Sequence, residues 1–189
     1  MSTGSTGDPR AERTRARLRE ALLEECAEHS LEEVSVAALV RRAGLGRATF
    51  YLHYPDLQAL AVDACAEVVR DAVEALHAWR GTPDPSAPPT ALTAFFTGLA
   101  PHAAVYRTLL REGGSGPLGD LLHRELRERS RKERELAGAP APDLIASAVA
   151  SAFAGVLADW LHGTIAATPE DMASQVWRLL VTLHRTPTN

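Results

Sequence analysis

Apolar positions recur along most of this chain at three- and four-residue spacing, the period of a helix with one buried face, and no stretch alternates as a strand would. Leu18, Leu22 and Cys26, with Ala21 beside them, draw one apolar stripe along residues 10–30. Val36, Leu39 and Val40 do the same over a shorter helix, and Ser35 ahead of it can accept a hydrogen bond from a first-turn N–H. Ala43-Gly44-Leu45-Gly46 then reads as a turn. Gly44 suits the left-handed residue that ends a helix, and Gly46 can stand as the next N-cap, without a side chain to offer. Arg47 to His53 forms a second short helix, and Pro55 marks the start of a long one over 56–79. Leu57, Leu60, Ala61, Ala64, Val68, Ala72 and Leu76 run down one side of that helix. A proline-rich break at 81–89 follows. Further helices are expected over 90–100, 102–112, 117–136, 143–162 and 169–184, with a flexible glycine turn at 113–116 and a solvent-facing charged end at 124–135. The pattern predicts an all-α chain of about nine helices: a polar, disordered arm at 1–9, a three-helix domain at 10–55 and a larger helical domain at 56–189.

Helix, tight turn, helix is the helix-turn-helix arrangement. Its second helix carries Arg47, Thr49, Tyr51 and His53, side chains able to reach base edges or phosphates in a major groove. Residues 35–54 hold three arginines and no acid, a local charge that favours a polyanion. Residues 10–19 add five arginines against one acid, which makes Arg13 and Arg15 phosphate candidates along with Ser35 and Tyr54. The same spacings also fit a small helical corner with a solvated basic face, and an arginine-rich start that is merely tolerated against the helix dipole.

The stretch Ala43-Gly44-Leu45-Gly46-Arg47-Ala48-Thr49-Phe50-Tyr51-Leu52-His53-Tyr54-Pro55-Asp56, with Leu60 behind it, resembles the TetR family of bacterial transcriptional regulators. The Ala-Gly turn, the Thr-Phe-Tyr centre and the His-Tyr-Pro exit match in order and spacing. The resemblance implies an all-helical homodimer whose helix-turn-helix binds a palindromic DNA operator, with a second domain that takes a small molecule and releases the DNA. Two positions depart from the family pattern. Gly46 replaces a polar cap, and Leu57 replaces a lysine that touches phosphate, which removes one backbone contact per half-site. These departures leave a second reading open, a helical ligand-binding or protein-interaction module that no longer binds DNA.

Composition changes the picture in a few places. The net charge is −4, so any affinity for nucleic acid must be local; of the 20 basic residues only Lys132 is a lysine. No run of 18 apolar residues and no signal-peptide core is seen, so a cytoplasmic protein away from membranes is expected. Cys26 and Cys65 match no metal or redox spacing and read as buried thiols, with a redox switch as the alternative. The seven histidines form no metal motif, the 113–116 glycines lack a phosphate-loop sequel, and no serine sits in a nucleophile elbow. No enzyme, metal or cofactor is expected. Phe95, Phe96, His102, Tyr106, His123, Phe153 and Trp160 could line a pocket for a small, mostly apolar ligand, or simply fill the core. Small residues at Ala148, Ser151, Ala152 and Gly155, continued by Asp159, face a helix carrying Met172, Val176, Leu179 and Leu183. This pair suits a four-helix bundle with a second copy, or completes the monomer core.

Overall fold

The computed structural model describes residues 8–78 and 84–184. Within them lie nine α-helices and no strand: α1 (Pro9–Glu28), α2 (Val36–Arg42), α3 (Arg47–His53), α4 (Leu57–Leu76), α5 (Thr90–Leu99), α6 (Ala103–Leu109), α7 (Pro117–Leu136), α8 (Pro142–Leu161) and α9 (Pro169–His184), with short 3-10 turns at Ala100–His102 and Glu112–Gly114. Most of the expected arm, Trp79 and residues 81–83 of the proline-rich break lie outside the described residues.

The helix starts follow local chemistry. α1 opens at Pro9, one residue before the stretch that periodicity predicts, and the Asp8 carboxylate accepts from Arg10 N at 2.9 Å. With Glu12 also in the first turn, acid meets the positive end of the helix despite the arginines around it. At α4 the Asp56 carboxylate accepts from Ala59 N at 2.8 Å, so Pro55 precedes the cap and does not open the helix.

The chain divides into two compact units, one ending at Ala64 and the next beginning at Cys65. The division falls inside α4 and not at Pro55, because the first turns of α4 are core to the first unit. Leu60 and Ala61 are fully buried there, in the same core as Leu18, Leu22, Leu39 and Phe50. In the second unit Leu92, Phe96, Leu109, Leu110, Leu118, Leu122 and Phe153 fill the centre. An 18-residue window of α8 reaches a mean hydropathy of 1.8, long and apolar enough to cross a membrane, contrary to the expectation from the uninterrupted apolar runs. Under half of that window is buried: Ala146, Val149, Ala150, Phe153, Ala154, Leu157, Ala158 and Leu161 face the interior, while Leu144 is exposed.

Three expectations change in this unit. The charged end of α7 is not wholly solvated, since Leu126, Ser130 and Arg134 continue one buried stripe, and Arg134 Nη2 donates to the Pro140 carbonyl at 3.1 Å. α6 stops at Leu109 because Leu110 is extended, and the Leu110 carbonyl accepts from His162 Nε2 at 2.8 Å. The glycine turn that follows is docked, not loose. Gly113, Gly114 and Gly116 all hold positive φ, and a Cβ on Gly114 would stand 3.0 Å from the backbone of Ala154 and Gly155 in α8. Around Gly113 there is open space. Gly113→Ala should therefore cost only the left-handed strain, about 1–2 kcal/mol. Gly114→Ala should cost that plus displacement of α8, about 1–3 kcal/mol more. Urea unfolding of the two variants checks this; equal losses would mean the close approach contributes nothing.

Candidate nucleic-acid interface

α2 ends as its glycine dictates. Gly44 sits at φ 61, Leu45 N donates to the Val40 carbonyl at 2.8 Å, and Gly44 N donates to the Arg41 carbonyl at 3.1 Å. These two bonds are the Schellman closure of a helix. At the other end Ser35 Oγ accepts from Ala38 N at 3.1 Å, so this phosphate candidate is engaged as a cap, although its own O–H can still donate. α3 begins at Gly46 with no side-chain cap.

Two arginines, both missed by sequence reasoning, tie the corner to α1. Arg17 Nη2 of α1 donates to the Ala43 carbonyl at 2.6 Å and reaches the Gly44 carbonyl at 3.4 Å. Its position beside buried Leu18 was the available signal. Arg42 Nε donates to Glu25 at 2.5 Å, with Glu24 and Glu28 at 3.6 and 3.4 Å. The acids of α1 thus neutralise one of the three arginines counted toward a polyanion, and Arg41 and Arg47 are left exposed.

On α3, Phe50 is fully buried and anchors the helix, with the Tyr51 ring edge-on at 5.1 Å. The outward face consists of Arg47, Ala48, Tyr51 and Leu52, while Thr49 and His53 are half-buried at its borders. Arg13 and Arg15 are exposed on α1; Arg13 Nε donates to the Pro9 carbonyl at 3.2 Å, and Arg15 lies 4.0 Å from Glu12. Tyr54 is not on this surface. It is 6% exposed, and its hydroxyl donates to the Asp63 carboxylate, which also accepts from Arg19 Nη1 at 3.0 Å. Arg19 Nη2 in turn donates to Glu12 at 2.8 Å. Tyr54 therefore latches the exit of α3 to α4 and α1. Burial, and then the bond to Asp63, push its phenol well above the usual range.

The comparisons with known proteins bear on this corner. Residues 18–64 match the family model described as bacterial regulatory proteins, tetR family. This segment is a tetR-family domain. The structural neighbours are TetR regulators in fold. They include a TetR transcriptional regulator from Rhodococcus sp. RHA1 (20% identity, 94% of this chain and 99% of that chain, TM-score 0.63). A tetR-family transcriptional regulator from Streptomyces coelicolor is similar at 20% identity, over 91% of this chain and 80% of that one, with a TM-score of 0.64. NalD, the secondary repressor of the MexAB-OprM multidrug efflux pump in Pseudomonas aeruginosa, is similar at 18% identity, over 91% and 96%, with a TM-score of 0.60. No curated protein matches the chain by sequence. The chain thus has a TetR-like fold, with an N-terminal helix-turn-helix domain and a larger C-terminal helical domain.

In that second unit four of the expected ligand residues meet, with ring centroids of Phe95 and Phe96 5.4 Å apart, Phe95 and Phe153 6.1 Å apart, and Phe96 and Trp160 5.3 Å apart, whereas His102 and His123 stand away from them. Phe95 and Tyr106 line a groove of about 520 Å³ together with Val68, Asp71, Glu74 and Leu99. Phe96 and Phe153 are buried in an aromatic cluster with Trp160, whose Nε1 donates to the Ala167 carbonyl at 2.9 Å. His102 is exposed, and His123 lines a separate hollow with Arg124 and Ser147. Of the expected dimer residues, Met172 and Val176 are core, 1% and 2% exposed, because α9 turns that face inward. Ala148, Ala152, Gly155 and Asp159 are half-buried and Ser151 exposed on α8, with Leu179 exposed and Leu183 half-buried on α9. Leu144 adds a large exposed apolar group to α8. Cys26 is a buried thiol, pushed up to about 11 by its burial and by Glu25, which leaves almost no thiolate for redox chemistry.

The latch of the TetR head titrates. Burial raises the Asp63 carboxyl, but the Tyr54 hydroxyl and the Arg19 guanidinium outweigh it, so its pKa lies below the ordinary 3.8. A depressed carboxylate stabilises the fold above its unfolded pKa and loses that contribution as pH falls through the folded value. Asp63→Asn should therefore melt below wild type near neutrality, with the gap closing below about pH 4. Melting curves across that range check it; a constant gap would show that the charge of Asp63 contributes nothing.

Proposed function

We propose that the chain is a homodimeric transcriptional regulator, a cytoplasmic repressor that a small molecule releases from a palindromic operator. The observation that carries the reading is α3. A seven-residue helix inside a tetR-family domain is pinned through Phe50, the Arg17-held turn and the Tyr54 latch, and it exposes Arg47 and Tyr51. Arg47 pairs with a guanine edge, its planar fork matching two acceptors; Thr49 and Tyr51 take phosphate or thymine methyl, and His53, Ser35, Arg13 and Arg15 take phosphate. The open stripe of α8 and the Leu179 side of α9 support pairing with a second copy. Two heads then read half-sites about one helical turn apart, or a multiple of it. A shift that disengages one head removes the gain of bivalent binding. α4 is the natural carrier of that shift, since it supplies Leu60 and Asp63 to the head and Val68, Asp71 and Ala75 to the groove. NalD is a repressor, and its direction of control is the one proposed for this chain.

Binding of the purified protein to a pool of random duplexes at about 0.1 M salt, followed by sequencing of what is retained, tests the regulator reading. A palindrome is expected. Arg47→Ala should cost about 1–3 kcal/mol on it and relax one base position. Equal loss on every sequence would reassign Arg47 to phosphate. A folded dimer that enriches nothing would sink the reading in favour of a helical binding module without DNA.

The groove refines the expected ligand. Val68, Ala75, Phe95 and Leu99 suit an apolar body, but the polar groups lining it are Asp71, Glu74 and Tyr106. They favour a molecule with a positively charged or donor end. Melting of the protein with matched hydrophobic cations and anions should show stabilisation by the cations, abolished in Asp71→Asn/Glu74→Gln. Equal response to both charges would refute the preference.

A further inference from the structure

Leu52 is 82% exposed, the most exposed of the large apolar side chains among the described residues. A lone exposed leucine needs no explanation. This one is not alone. Ala48 lies one turn before it on the same outward face, so an apolar stripe runs beside the Arg47–Tyr51 stripe on a helix anchored by buried Phe50. Tyr51 is itself 56% exposed. Sequence reasoning passed over both Ala48 and Leu52, because neither has a polar group to offer DNA.

We infer that Leu52, backed by Ala48, is a specificity residue that reads thymine through its C5 methyl. This rests on the DNA-reading function proposed above. The chemistry is selective. Sugar-phosphate offers a leucine nothing to prefer, and along the base edges of the major groove the methyl of thymine is the one apolar group. A cytosine in its place would set an N4 donor against a side chain that cannot accept, leaving that donor unpartnered. Leu52 follows Arg47 by five residues, about 7.5 Å along the helix axis, so the two side chains address different base pairs of one half-site.

Replacing thymine by uracil removes the methyl and nothing else. Each thymine of the retained palindrome is to be exchanged singly for uracil, and affinity measured by fluorescence anisotropy at fixed salt for wild type and Leu52→Ala. Wild type should lose about fourfold at one or two positions per half-site, the worth of one buried methyl-sized group. Leu52→Ala should bind more weakly and show no uracil penalty at those positions. Its melting temperature should match wild type, because Leu52 buries little in the head. A wild type indifferent to uracil throughout, or a penalty undiminished in Leu52→Ala, overturns the assignment while leaving the regulator reading intact. A folded dimer that retains no duplex overturns both.

Discussion

The guanidinium of Arg17 holds the place on which the head depends. A helix that ends in a left-handed glycine exposes its last carbonyls, and they need donors. Arg17 supplies one fork to the carbonyls of Ala43 and Gly44, at the point where α2 hands over to α3. At the same end of α2, Arg42 reaches back to Glu25 on the same neighbour. α1 is therefore a splint: it gives a cation to the turn and takes a cation from the helix before it, and the direction of α3 follows from both. Charged hydrogen bonds with planar geometry suit this task because they constrain angle as well as distance.

What could be read from residue order was whatever is decided locally. The Ser35 cap, the Gly44 turn, the inward Phe50 and the periods of nine helices are set within a few residues, and they stand in the fold. What failed was direction in space. Arg17, Arg42 and Tyr54 have the chemistry of DNA contacts, yet each is turned toward the protein, because a partner more than eight residues away outcompetes solvent for it. The aromatic set divides between groove and core, with Phe95 in contact with both. Phe96 and Phe153 share helical faces with pocket residues, but their apolar area is worth more buried than lining an open groove. The boundary at Pro55 failed because a cap marks where a helix begins and says nothing about which core it enters.

α8 shows how one composition serves two neighbours. Its small residues invite a close neighbour. At Ala154 and Gly155 that neighbour is a backbone turn, with Gly114 against them. Earlier on the helix, Ser151 is exposed and Ala148 and Ala152 are half-buried. Small side chains record that something comes close without recording what.

Every cation of the head is an arginine; the chain's single lysine, Lys132, lies in α7. Guanidinium stays charged at any pH a folded protein meets, and it offers no amine to acetylate. Acyl chemistry, which tunes lysine-rich DNA-binding surfaces, finds no amine side chain on this one.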